Sequence, residues 1–488
     1  MRNQVPVAAA LVAAMALVGC TPERDSAPQA ARGAGVWSVV PQPTGPRPGS
    51  PGAGDPYFPS YGNGGYDVTD YAVKVRFNPA TDAVTGTTTV TAKAAVDLSR
   101  FNLDLHALTV ASVTVDGVAA THTHVQDELA ISPATPLVAG KQFVAVINYG
   151  GQPRRKPNAM LGAGGFLNTA DGAIALGQPE SATTWFPVND HPSDKARYSL
   201  EITVPAGLTA LSNGKPGPTT TTAGWTTWKW SESTPMASYL TMAVIGNYRV
   251  KRSVHKGRPV VTAVPASAPA GSLGELTMAK TTAVADYLET VFGPYPVDAY
   301  GGVVVDARQI GYALETQSRP VYGPGFFTDE KSADAVLTHE LAHQWFGNSV
   351  ALDRWQDIWL NEGFASYAEW LWTQQQGGQS AQEQFDVAYR TSPASIWRVP
   401  PGRPGPARIF DGSVYRRGAM TVHALRVTIG DEAFFRLLKE WTATHRDGNV
   451  RTADFVALAE KVSGRQLDQL FDAWLYGVTR PPLPTAGA

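Results

Sequence analysis

His339-Glu340-Leu341-Ala342-His343, inside the stretch HELAHQWFGNSV at residues 339–350, decides how this chain is read. If the segment is helical, positions i and i+4 lie one above the other, so both imidazoles can face a single ion. Glu340, next to the first histidine, can reach the open side of that ion without occupying a ligand position. Thr328 or Asp329 is a candidate N-cap, and Gly347-Asn348 is a stop, so the five residues fall inside a helix. The competing reading is a chance match on a solvated helix, and with 9 histidines in the chain the pattern alone does not decide between them.

The residues that follow select the third ligand. A third histidine in the pattern HExxHxxGxxH would need Gly at 346 and His at 349, and this chain has Phe346 and Ser349. A second predicted helix opens with WLNEGFASY at residues 359–367, which places Glu362 19 residues beyond His343. Glu362 then completes a His339–His343–Glu362 site with one coordination place left for water, or else it is a surface acid. Two neutral imidazoles and one carboxylate leave a bound divalent ion a net charge near +1, which polarises a water and a carbonyl. The nitrogen and carboxylate donors fit Zn²⁺, one per chain, without excluding other divalent ions.

N-terminal to this region the periodicity changes. Val73, Val75 and Phe77 alternate with Ala72, Lys74 and Arg76, and Phe101, Leu103 and Leu105 alternate again. Val113-Thr114-Val115 runs into Asp116-Gly117, a hairpin signal. Residues 57–252 therefore read as an all-β domain, and 253–488 as a mainly helical one, giving an α+β chain. Predicted helices cover Leu273–Val291, Asp334–Phe346, Asn361–Gln376, Ala381–Tyr389, Arg417–Ile429, Ala433–Trp441 and Thr452–Val462, with a last one ending near Leu475 before Arg480-Pro481-Pro482.

The start of the chain carries a different signal. Arg2, an apolar run from Val5 to Val18 and the small residues that follow read as a signal peptide over 1–19. The run ends Leu17-Val18-Gly19-Cys20, which resembles the lipobox of bacterial lipoproteins and implies lipid attached at Cys20. The alternative is an ordinary cleaved signal with an incidental cysteine. Cys20 is the sole cysteine, so no intramolecular disulfide can form. Residues 20–56, rich in Pro, Gly, Ala and Ser, read as a flexible tether. The expected location is extracytoplasmic, either anchored by lipid to the cell membrane or secreted. No later apolar stretch has the length of a transmembrane helix. With 40 basic and 42 acidic residues the chain offers no electrostatic footprint for nucleic acid.

HELAHQWFGNSV (339–350), WLNEGFASY (359–367) and Trp185-Phe186-Pro187-Val188-Asn189-Asp190-His191-Pro192 together resemble the aminopeptidase N and leukotriene hydrolase family of gluzincins. The resemblance runs from about Tyr57 to Pro484. It implies a saddle-like β domain followed by a thermolysin-like catalytic domain. Many members carry a further C-terminal helical domain, and on the length read here none is expected. By resemblance Glu340 is the general base, and Tyr415, in Val414-Tyr415-Arg416-Arg417-Gly418-Ala419, hydrogen-bonds the oxyanion. Without the resemblance Tyr415 reads as an interface aromatic. The family's GxMEN stretch corresponds to Tyr312-Ala313-Leu314-Glu315-Thr316, where Glu315 is kept for the substrate's free amine and its neighbours differ. Gln178 is a candidate second contact to that amine, or a plain turn residue. Asp357 either supports a ligand histidine or is an exposed acid, the latter being the simpler reading.

These residues predict a zinc aminopeptidase acting on peptides. A zinc endopeptidase or other acyl hydrolase with an open cleft is the alternative. A surface-binding lipoprotein with a vestigial site belongs to another class, and it conflicts with the complete set of catalytic residue types.

Overall fold

The structure is a computed structural model that describes residues 45–485 apart from Ala159. The predicted signal peptide, Cys20 and the first part of the tether lie outside the described residues.

The N-terminal half is built on the long hairpin Tyr66–Asn78 and Ala83–Ala94. Along the first strand Tyr71, Val73, Val75 and Phe77 are buried while Lys74 and Arg76 are exposed, as a pleat with one covered face requires. Lys195–Pro205 joins one side of the hairpin in parallel, and Gln142–Gly151 joins the other antiparallel, within a sheet of nine strands. A five-stranded sheet that includes Gly162–Asn168 and Ala173–Leu176 supplies partners for this core. Phe77 meets Phe166 edge to face at 5.2 Å between ring centroids.

Sheet membership changes after Gly246. Tyr248–His255 pairs along its whole length with Arg258–Pro265, which runs parallel to Tyr300–Val304 of the C-terminal half. The boundary expected between 252 and 253 thus falls inside a hairpin belonging to the second sheet. That sheet ends in the short strand Ala313–Leu314, whose only strand partner there is Val321–Tyr322.

Ten α-helices follow among the described residues: α1 (Leu273–Met278), α2 (Thr281–Phe292), α3 (Glu330–Ala342), α4 (Trp359–Gln375), α5 (Ala381–Thr391), α6 (Ala394–Arg398), α7 (Gly418–Ile429), α8 (Asp431–Thr444), α9 (Thr452–Ser463) and α10 (Asp468–Phe471). The single helix predicted over Leu273–Val291 is two, α1 and α2. At the break the Thr277 and Thr281 hydroxyls donate to the carbonyls of Leu273 and Met278, and Lys280 turns to pair with Asp334 of α3. Such side-chain competition for backbone groups favours helix ends. Asp329 caps α3 by accepting from the Ser332 amide at 2.9 Å. No helix among the described residues is long and apolar enough to cross a membrane.

The flexible tether expected over 20–56 needs correction in its last part. Arg47 and Pro48 pair in parallel with Leu98 and Arg100. Asp55 is only 3% exposed. It accepts the amides of Tyr57, Phe58 and Trp355, and it faces His191 Nε2 at 3.3 Å. Composition missed this because backbone hydrogen bonds and one buried carboxylate, rather than apolar side chains, hold the segment.

Candidate active site

His339 sits on the last turn of α3, His343 caps that helix at its C-terminus and Glu362 sits on the first turn of α4, with all three buried. The partners of the imidazoles fix their tautomers. His339 Nδ1 donates to Glu369 Oε1 at 2.7 Å, and His343 Nδ1 donates to the Phe346 carbonyl at 2.9 Å. Both Nε2 lone pairs therefore point inward. They face Glu362 Oε2 at 3.2 and 3.4 Å. Three lone pairs converging in a buried pocket repel one another unless a cation or protons lie between them. A divalent ion with nitrogen and carboxylate preferences fits this arrangement.

Glu340 lies beside these groups, and its Oε2 is buried without a hydrogen-bond partner. Burial raises its carboxyl above the ordinary range, against the opposing pull of His339 and His343. Carboxylate oxygens of Glu315 and Glu340 and a ring nitrogen of His343 also lie within 4.8 Å of one another.

Glu315 is assembled from three distant stretches of chain. Its Oε1 accepts from Gln178 Nε2 at 2.9 Å and from the Tyr239 hydroxyl at 3.0 Å, both from the N-terminal half. Its backbone carbonyl accepts from Gln344 Nε2 and Asn348 Nδ2, which follow the second histidine of the motif. Lys195 Nζ donates to the carbonyls of Asn348 and Ser349 at 2.9 and 2.7 Å and ties that turn to the β domain. Burial raises the Glu315 carboxyl as well.

Tyr415 stands on a π-helical turn, Ser413–Arg417, just before α7. Its ring lies nearly parallel to that of His339 at 5.9 Å between centroids. Gly363 and Gly418 set this approach: a Cβ added at Gly418 would lie 2.9 Å from the Gly363 Cα, so α4 and α7 touch backbone to backbone. Burial keeps the phenol protonated well past its usual range. The predicted residues Gln178, Glu315, His339, Glu340, His343, Glu362 and Tyr415 all line one cavity of about 320 Å³.

Asp357 is a correction. It is neither exposed nor near a ligand histidine; it is buried and accepts the amide and hydroxyl of Thr452. The carboxylate that holds His339 is Glu369. It stands seven residues after Glu362 on α4 and so on the same helix face, a spacing that was readable in the sequence. Tyr239 was also missed, and it carried no local signal.

Comparison with known proteins agrees with this geometry. Residues 67–240 match the Peptidase M1 N-terminal domain and residues 277–474 match the Peptidase family M1 domain. The chain is 28% identical over 425 residues to "Aminopeptidase N" of Streptomyces lividans, covering 78% of this chain and 47% of the relative. It is 28% identical over 334 residues to "Glutamyl aminopeptidase" of Homo sapiens, covering 64% of this chain and 34% of the relative. It thus spans less than half the length of these curated relatives. An M1 zinc metallopeptidase from Deinococcus radiodurans superposes with a TM-score of 0.81 at 32% identity, covering 90% of this chain and 100% of that one. A mutant of the Deinococcus radiodurans M1 enzyme, solved with a Tyr-Ser-Ala substrate, gives a TM-score of 0.80 at 31% identity, covering 89% of this chain and 99% of that one. With both family domains matched in order and a solved relative covered from end to end, this chain belongs to peptidase family M1.

Proposed function

We propose that the protein is a zinc aminopeptidase that removes N-terminal residues from peptides. The observation that carries this reading is that the converging lone pairs share His343 with a second close group containing the buried Glu315 carboxylate, which is furnished with two hydrogen-bond donors. His339, His343 and Glu362 would hold the ion. When bound there, zinc supplies a Lewis acid for the substrate carbonyl and for water.

The chain's own residues do the rest. Glu315 pairs with the substrate ammonium, and Gln178 and Tyr239 orient its carboxylate for that contact. This fixes the register, so the first peptide bond lies beside Glu340. Glu340 takes a proton from the attacking water and passes it to the leaving amine. Its unpartnered Oε2 has the hydrogen-bonding capacity this needs. Tyr415 donates its hydroxyl to the negative charge developing on the substrate carbonyl oxygen. An endopeptidase needs room for chain beyond Glu315. There Glu315, Gln178 and Tyr239 are all buried, which favours the exopeptidase reading.

The test is a panel of aminoacyl fluorogenic substrates, each with a free and an N-acetylated amine, with and without chelator. Free amines should be cleaved and acetylated ones spared, and the chelator should abolish turnover. Equal turnover of both forms removes the aminopeptidase reading. Glu340→Gln should keep its metal while kcat falls by about 10²- to 10⁴-fold; wild-type turnover by that variant removes the base assignment.

The same proposal includes export and a lipid anchor at Cys20, supported by the N-terminal apolar run and the Leu17-Val18-Gly19-Cys20 sequence. Cys20→Ser should move the protein from the membrane to the soluble fraction, and an unchanged distribution would refute the anchor.

A further inference from the structure

A groove of about 410 Å³ lies beside the cavity described above, between α4, α5 and the π-helical turn, and Glu369 and Tyr415 line both spaces. Its walls include Trp370, Gln379, Gln384 and Arg416. The direction of this groove follows from the order of side chains along the cavity. Glu315 lies at the His343 end, whereas Glu369 and Tyr415 contact His339. A peptide whose amine sits on Glu315 and whose first carbonyl sits at the lone-pair triangle runs from the His343 end to the His339 end, where Val336 and Ser332 line the cavity and Glu369 and Tyr415 border the groove as well.

Arg416 is the only cationic side chain lining that groove. It is exposed and forms no ion pair among the described residues, its hydrogen bond being to a neutral hydroxyl. Its Nη2 donates to the Thr391 hydroxyl at 3.0 Å, which steadies the guanidinium against the end of α5. The remaining donors are partly committed: Gln384 Nε2 already bonds the carbonyls of Trp370 and Gln379. Glu369, at the mouth, has one oxygen on His339 and repels an anion there. The groove thus disfavours negative charge at its entrance and accepts it farther along. A planar guanidinium with free N–H groups matches a carboxylate at two points.

We propose that Arg416 binds the C-terminal carboxylate of short peptide substrates, so that the cleft measures a peptide from both of its ends. This rests on the aminopeptidase reading, which sets the direction of the bound chain. The enzyme then prefers oligopeptides of a few residues over long polypeptides and over substrates lacking a free carboxylate.

The test compares dipeptides to pentapeptides of one apolar sequence, as free acids and as C-terminal amides. Binding is measured by calorimetry on zinc-loaded Glu340→Gln protein, which reads affinity without turnover. At one or two lengths the acid should bind about five- to tenfold more tightly than the amide. That ratio should collapse toward one in the Glu340→Gln/Arg416→Gln double variant and be partly kept with Arg416→Lys. Equal affinity of acid and amide at every length, or a ratio that Arg416→Gln leaves intact, overturns the proposal. Failure of the wild-type enzyme to cleave any free-amine substrate would instead overturn the aminopeptidase reading, whatever the binding ratio.

Discussion

The two ends of the catalytic cavity are built in opposite ways. At one end His339, His343, Glu362 and Glu369 come from two helices, α3 and α4, within 31 residues of sequence. At the other end Gln178, Tyr239 and Glu315 come from three segments spread over 138 residues, two of them in the N-terminal half. The first end depends on helix periodicity, which places residues i, i+4 and i+7 on one face. The second depends on how two domains pack, with Lys195 and the Gln344–Asn348 turn as fasteners. Groups that need a defined coordination shape are thus placed on rigid local structure, while the proposed contacts to the substrate amine are placed across a seam.

Glu362→Ala should produce the largest loss. It removes the one ligand from α4, so stoichiometric metal and turnover should both fall to background; metal analysis retaining one ion per chain would break the comparison at its firmer end. Glu369→Gln should come next. It leaves every ligand in place but weakens the acceptor that orients His339, and competition with a chelator should show zinc affinity lowered by about 10- to 100-fold. Tyr239→Phe should have the smallest effect. It deletes one buried donor to Glu315, and KM for free-amine substrates should rise by about tenfold with metal content unchanged. A fall in metal content in Tyr239→Phe would show that the two ends are not independent.

Legibility in the sequence follows the same division. His339, His343 and Glu340 were readable because their spacing is a property of one helix. Glu369 was readable in principle, since Glu362 and Glu369 share a face. Gln178 was left between a contact and a turn residue, and Tyr239 was missed, because nothing local links either to Glu315. The change from strands to helices was visible in the periodicity. The Tyr248–His255 hairpin was not assigned to the second sheet, because pairing with Tyr300–Val304 leaves no mark on alternation. Residues 47–56 were misread as tether for a related reason: the buried Asp55 carboxylate and its amide partners do not register in hydropathy.

The meeting of Gly363 with Gly418 has a consequence for how sequences of this kind can drift. One glycine follows Glu362 directly and the other lies three residues after Tyr415, so the spacing of an acid and a phenol is written into main chain rather than into rotamers. A methyl group at Gly418 forces the helices to shift and one at Gly363 makes them give by a few tenths of an ångström, and a change at one cannot be repaired by shrinking the other, which is already as small as a residue can be. The pair should therefore persist where pocket walls around it diverge, a fixed hinge pin in a site whose specificity is free to wander.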